Sequence, residues 1–412
     1  TRVRSSAASD VYKRQIHLKG SFPDPLFFSP RDITSVMADP LDTENGSQAS
    51  SDERLRDVSF LSRQLNKPEL GAISGAVLVF VFFGLTAGGT GMFAPDGILN
   101  WSTVSAQLGL IAIGACLLMI AGEFDLSIGS MIGFAGIMIA VPTVYWDWPV
   151  WLSIIFAFAG AMSIGFINGY IVVRTGLPSF IVSLAFLFIL RGLTIGLSQF
   201  FTNRTIIGGV RDIAEEQNDW MAPLFGGKAF QGFFQWLGDN GWIETFADGT
   251  PLVSGIPAVI LWFLGLVIVC QWMLLKTRFG NWIFASGGDA VAARNVGVPA
   301  SRVKIMLFMF TAFCATVYAA CQVIEFGSAA ADRGLLKEFE AIIAAVIGGT
   351  LLTGGYGSVV GACFGALIFG VVQMGIFFLG IDSSWFRVFL GGMLLIAVIF
   401  NNFIRKKVTE AR

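Results

Sequence analysis

Ala341-Ile342-Ile343-Ala344-Ala345-Val346-Ile347-Gly348-Gly349-Thr350-Leu351-Leu352-Thr353-Gly354-Gly355-Tyr356-Gly357-Ser358 opens a run that carries no charged residue as far as Ile381. As one α-helix its 41 residues would reach about 61 Å, twice the roughly 30 Å of bilayer hydrocarbon, so the chain must turn back inside it. The turn is placed by the glycines. Gly348-Gly349 and Gly354-Gly355-Tyr356-Gly357 leave a short segment from Phe339 and a full-length one from Ser358 to Leu379.

Outward from this run, uncharged stretches long enough to cross a membrane recur. They lie at Leu70–Pro95, Trp101–Gly122, Leu126–Trp146, Trp148–Val173, Pro251–Leu275 and Ile305–Ile324. Thr175–Asn203 is interrupted only by Arg191, which can face the bundle, and Ser383–Ile404 closes the series. Composition agrees: 55% of residues are hydrophobic and 13% charged, where a soluble domain has roughly a quarter charged. The expected fold is an all-α polytopic membrane protein of about ten crossings with Gly-rich breaks. A weak parallel internal repeat joins Gly129-Ser130 with Gly133 to Gly357-Ser358 with Gly361 at an offset of 228 residues.

The cations choose the sides. Lys276, Arg278, Arg294, Arg302 and Lys304 crowd one linker, Arg405, Lys406, Lys407 and Arg412 the C-terminal end, and Arg174 a loop of the same parity. The positive-inside rule makes these cytoplasmic, with both termini. The expected organisation is a polar cytoplasmic tail over 1–69, a transmembrane domain over 70–407 and a short tail over 408–412. Within the domain, 202–250 is an acidic, aromatic-rich periplasmic insert and 276–304 the cytoplasmic linker. A short amphipathic helix on the outer bilayer surface is expected around Lys228 to Leu237.

The most informative motif is Gly122-Glu123-Phe124-Asp125-Leu126-Ser127-Ile128-Gly129-Ser130. Two carboxylates at the edge of an apolar run mark a boundary or a protein-lined interior, and Asp125 reads as the N-cap of the next helix, supported by Ser127. This segment resembles the Gly-x-x-Asp-Leu-Ser-x-Gly-Ser element of the permease subunits of bacterial monosaccharide ABC importers, and is nearest to the xylose type. The resemblance continues through Asn168-Gly169, Leu177-Pro178-Ser179-Phe180 and Arg191-Gly192-Leu193. It extends through the linker, Gly280 to Gly288, Ala292-Ala293-Arg294 through Gly297 and Arg302-Val303-Lys304, and through Leu336 to Gly361. Upstream of the last motif the family has a Gly-Ser-Gly-x-Pro loop where this chain reads Gly327-Ser328-Ala329-Ala330, which leaves the sugar open.

The resemblance implies a homodimer of this subunit, a cytoplasmic ABC ATPase that holds ATP and Mg, and a periplasmic sugar-binding protein; lipid surrounds it and nucleic acid is not a partner. It implies gating or helix-break roles for Glu123, Asp125, Ser127, Gly129, Ser130, Gly348, Gly349, Gly354, Gly355, Gly357 and Ser358. It implies ATPase docking by Gly287, Gly288, Ala292, Ala293, Arg294, Gly297, Arg302 and Lys304, with the apolar side of the Ala290–Arg294 segment, Ala293 included, seated in the partner. No catalytic residue is expected. The sequence has no Gly-x-x-x-x-Gly-Lys-Ser/Thr phosphate loop, its only histidine is His17, and its five cysteines fall in apolar runs without CxxC spacing, so no metal or cofactor site is expected in this chain. The alternatives are a permease of the same superfamily for a nucleoside or autoinducer-2, and an ion-coupled secondary transporter.

Overall fold

The computed structural model describes residues 68–382, 384–393, 395, 396 and 399. The polar tail expected over 1–69 lies outside the described residues but for 68 and 69, as does the C-terminal tail. Helices α1 (Pro68–Thr86), α2 (Pro95–Ile120), α3 (Ile128–Tyr145), α4 (Val150–Thr175) and α5 (Ser179–Thr202) follow one another closely. The insert then forms β1 (Ile206–Gly208), α6 (Val210–Glu216), α7 (Ala222–Gly226), β2 (Lys228–Ala229) and α8 (Gln231–Asp239), and β3 (Ile256–Pro257) leads into α9 (Ala258–Lys276). The linker folds as α10 (Arg278–Gly288) and α11 (Ala290–Asn295). Next come α12 (Ala300–Phe326), β4 (Ser328–Ala330), α13 (Lys337–Ile347) and α14 (Val359–Phe378), and residues 384–393 are helical.

Among the described residues, α2, α3, α4, α5, α9, α12 and α14 are long and apolar enough to cross a bilayer. The chain is therefore an all-α polytopic membrane protein. The uncharged run from Ala341 breaks where its glycines lie, between Ile347 and Val359. Proline precedes four of the long helices, at Pro149, Pro178, Pro257 and Pro299, where its missing N–H costs nothing and its fixed φ steers the chain into the helix.

Burial sorts the helices into two shells. The apolar windows of α2, α3 and α12 are 83%, 83% and 78% buried, against 33%, 22% and 33% for α4, α5 and α9, so the first three form the centre. Outward-facing residues such as Phe188, Phe200, Ile268 and Trp272 are large and apolar, as a lipid-facing surface requires. Small residues bring helices together inside. A Cβ on Gly165 would lie 2.7 Å from the Phe308 carbonyl oxygen, and one on Gly169 would lie 2.9 Å from Ile305 Cα, so α4 presses directly on α12. Gly361 and Gly365 likewise seat α14 against the Gly348 and Ala344 backbone of α13.

Two short antiparallel pairings pin the insert. Ile206–Gly208 pairs with Ser328–Ala330, and Lys228–Ala229 with Ile256–Pro257. The amphipathic helix expected near Lys228 begins three residues later, at Gln231, because Lys228 and Ala229 are taken by the ladder. Its Phe233 and Trp236 are exposed, with ring centroids 6.2 Å apart.

Candidate functional site

At the end of the bundle that carries the linker, three glycine-bearing segments meet with no side chain between them. The first is the end of α2. Gly122 at φ +82 lets its N–H reach the Met119 carbonyl at 2.9 Å while the Glu123 N–H reaches Leu118 at 3.1 Å, the paired bonds that close a helix on a left-handed residue. The second is Gly287 in the last turn of α10, and the third is the loop 348–358 that breaks the long uncharged run. A Cβ on Gly354 would lie 2.8 Å from Gly122 Cα and 2.9 Å from the Gly287 oxygen, and one on Gly355 would lie 3.0 Å from Gly288 Cα. The Gly355 N–H donates to the Ile120 carbonyl at 2.8 Å, which satisfies one of the acceptors left open where α2 ends.

The loop is held from both sides. Gly349 at φ +90 ends α13, with Gly349 and Thr350 N–H donating back to Val346 and Ala345 at 2.9 and 3.0 Å. Ser358 opens α14, its hydroxyl accepting from the Gly361 N–H at 3.3 Å. Gln271 of α9 accepts from the next two amides, Val359 at 3.1 Å and Val360 at 3.3 Å. Gln271 was not among the residues singled out from the sequence; a lone amide inside an otherwise apolar run is the signal that could have found it. Gly357 packs on Ile120 and Thr350, and Thr350 Oγ1 lies 3.2 Å from Cys116 Sγ.

Between α2 and α3 the chain climbs back into the bundle. Glu123 pairs with Lys304 near the start of α12, each side chain nearly buried. Asp125 is 6% exposed and accepts from the Ser127 N–H at 2.9 Å, from the Ser127 hydroxyl and from the Thr311 hydroxyl. The helix boundary puts Ser127 at the N-cap position without a side-chain cap bond of its own, while Asp125 accepts the N–H two residues on, as a capping side chain does, and also fastens the segment to α12 through Thr311. Asn168 of α4 donates to Ser127 Oγ at 3.4 Å, and the Phe124 N–H donates to Ser179 at the head of α5 at 3.0 Å. Gly129 presses on Gly334 and Glu338, so it serves close approach of α3 to α13.

The structure divides the residues expected to dock a partner. Val291 and Val296 are 67% and 80% exposed, and Ala292, Arg294, Gly297 and Arg302 face outward with them. Ala293 is 4% exposed, packed within the chain, so the expectation that it seats in another subunit is corrected: on this six-residue helix the inward side is Ala293. Gly287 abuts Ile120 and Lys304 is engaged with Glu123, so both act inside the subunit. Asp289 caps α11 by accepting from the Val291 and Ala292 N–H groups, both at 2.9 Å.

The cysteines are free, and four of the five are buried. Among the described residues no group of three or more His, Cys, Asp or Glu is placed to hold a metal ion. An inter-helix junction with no room for side chains, joined directly to an exposed basic linker, can transmit displacement but carries no group disposed for covalent chemistry. Fold and site together define a polytopic helical membrane protein with a close-packed glycine junction at its linker end.

The chain belongs to the family described as the permease component of branched-chain amino acid transport systems, which matches residues 97–398. It is similar to the xylose transport system permease protein of Escherichia coli K12, 28% identical over 372 residues that cover 84% of this chain and 94% of that protein. The Haemophilus influenzae protein of the same name is 30% identical over 356 residues, covering 80% and 95%. The ribose import permease protein of Escherichia coli K12 is 31% identical over 306 residues, covering 74% and 84%. No solved structure matches significantly.

Proposed function

We propose that this chain is the translocation subunit of an ATP-driven importer that carries a monosaccharide, a xylose-type pentose ahead of a hexose, from periplasm to cytoplasm. The relatives named for xylose and ribose transport support the substrate class. The observation that carries the mechanism is the glycine junction, because it couples the linker to the broken helix by backbone contact. Two copies form the path. ATP with Mg closes a cytoplasmic ATPase against the linkers, and a sugar-loaded binding protein engages the opposite face.

Movement of α10 is passed without slack to the loop 348–358 and the end of α2, since Gly287 touches Ile120 and lies against Gly354 and Gly355. The Glu123–Lys304 pair carries the same displacement into α12. The cations of the linker support a cytoplasmic position for this end and for both termini. The chain crosses ten times, with α3 and α13 starting inside the bundle. The weak repeat lies in Gly129-Ser130 and Gly357-Ser358, each near the opening of a helix that follows a turn at the linker end.

The ATPase is captured by the outward side of α11. Val291→Asp and Arg294→Glu should each abolish co-purification of the ATPase and lower ATP-dependent D-xylose uptake at least about tenfold, the effect of about 1.4 kcal/mol. Membrane levels and thermal unfolding of the permease should stay unchanged. Full uptake and co-purification in both variants, or uptake that survives ATP depletion in the unmodified protein, would reject an ATPase-driven importer.

A further inference from the structure

Six buried side-chain polar atoms among the described residues have no hydrogen-bond partner, and three of them, Ser130 Oγ, Asn168 Oδ1 and Glu338 Oε2, gather at one helical turn, the start of α3. Their residues are 1%, 1% and 3% exposed, in a setting where such groups are ordinarily paired. Asn168 reaches the turn by donating from Nδ2 to Ser127, the N-cap of α3. Glu338 reaches it from the first turn of α13: a Cβ on Gly129 would overlap Oε2 and lie 3.1 Å from Cδ.

The turn sits in the middle of the bundle. Asp125, two residues before the N-cap, is bound by Thr311, the twelfth residue of the 27-residue α12 and so about 17 Å along it. The start of α3, a helix of 18 residues, thus lies against the first turn of α13, a helix of 11, where Gly129 meets Glu338 and Gly334. The first amides of α3 present their positive ends at this turn, whereas those of Lys337, Phe339 and Glu340 at the head of α13 already donate to the Gly334 and Leu336 carbonyls. Lys337 and Glu340 satisfy one another at 2.5 Å, and Arg191 is turned to the Ala331 carbonyl at 3.1 Å. Glu338 forms no salt bridge among the described residues.

These groups specify a ligand chemistry. The opening amides of α3 require acceptors, whereas Glu338 Oε2 and Asn168 Oδ1 require donors. A cation would satisfy the carboxylate and be repelled by the N-terminus of α3; an anion would satisfy the α3 amides and be repelled by Glu338. A neutral molecule with several hydroxyls meets both demands, since each hydroxyl donates and accepts. We propose that the first turn of α3, with Asn168 and Glu338, is a station inside the permease that binds the hydroxyl groups of the permeating solute. Gly129 and Gly334 keep it closed here, because neither leaves room for even one Cβ. This assignment rests on the importer reading and adds to it a site within the membrane-spanning part.

The test uses the purified full chain in lipid nanodiscs without partner subunits, with D-xylose and D-ribose as probes and saturation-transfer NMR as the readout. The unmodified protein should transfer magnetisation to the ring protons of at least one sugar. Glu338→Gln and Asn168→Leu should each weaken apparent binding about tenfold, the loss expected for one hydrogen bond to a charged or buried partner. Glu338→Gln preserves side-chain shape, and unchanged thermal unfolding establishes that it folds. Transfer to neither sugar in the unmodified protein would mean that the turn holds water only and would overturn the station, as would equal binding in both folded variants. Val291→Asp should leave this signal intact. Loss of ATPase co-purification therefore reports on the importer reading alone, and loss of sugar binding on the station alone.

Discussion

Gly287→Ala tests the junction with the addition of one methyl group. The new Cβ would overlap the Ile120 carbonyl oxygen and lie 2.7 Å from Gly355 N and 2.9 Å from Ile120 C. Non-bonded contacts to carbon sit at about 3.5–4.0 Å, so the overlap with the Ile120 oxygen requires α10 to withdraw by well over about 1 Å. Overpacking of this kind costs about 1–3 kcal/mol. The methyl group also intrudes on the hydrogen bond from Gly355 to Ile120; leaving that acceptor unpaired costs about 1–3 kcal/mol more. Against this, replacing a helical glycine by alanine returns about 1 kcal/mol. The net expectation is a destabilisation of about 1–5 kcal/mol centred on the contact between linker and broken helix. Gly288 supplies the control, because a Cβ there meets nothing within 4 Å. Gly288→Ala should therefore be neutral or stabilising by up to about 1 kcal/mol. Thermal unfolding of both variants, with D-xylose uptake and ATPase turnover of the assembled transporter, reads the difference. Gly287→Ala should hydrolyse ATP with uptake reduced at least about tenfold. Unfolding and uptake equal to those of Gly288→Ala would refute transmission through this contact.

Lys304→Met and Glu123→Gln should each destabilise the protein by less than the roughly 3–5 kcal/mol known for breaking a fully buried pair, since the two side chains are 13% and 14% exposed. The exchanged double variant, Lys304→Glu with Glu123→Lys, should recover part of that loss, and a double-mutant cycle in thermal unfolding that gives a coupling below about 0.5 kcal/mol would remove the pair from the argument. Sidedness is read by impermeant maleimide on intact cells. Gly232→Cys and Asp332→Cys should label from outside and Asn295→Cys only after permeabilisation; the reverse pattern would invert the molecule.

Hydropathy is a property of consecutive residues, so the long apolar helices, the break at Gly348–Gly357 and the helical linker were all legible without coordinates. The glycine doublets announced themselves for the same reason: in a run with no charge and no proline, they are the feature that can end a helix. Even the boundaries came close, with Ser358–Leu379 expected and Val359–Phe378 observed. Where a local competitor existed the reading slipped. The β-ladder claimed Lys228 and Ala229, so the amphipathic helix starts only at Gln231.

By itself, then, the sequence determined that this protein is a bundle of apolar helices with glycine-marked interruptions, because the cost of exposing polar backbone to lipid is levied residue by residue. Which interruptions meet was decided only by tertiary packing. Glu123 and Lys304 are 181 residues apart, and Asp125 and Thr311 are separated by 186. Gly122, Gly287 and Gly354 lie in three different segments and are joined because no side chain stands between their backbones. Packing also turned Ala293 inward and Val291 outward on a helix whose sequence is nearly all small and apolar. Periodicity over six residues cannot choose a face; the rest of the bundle does, by covering one side and leaving the other bare.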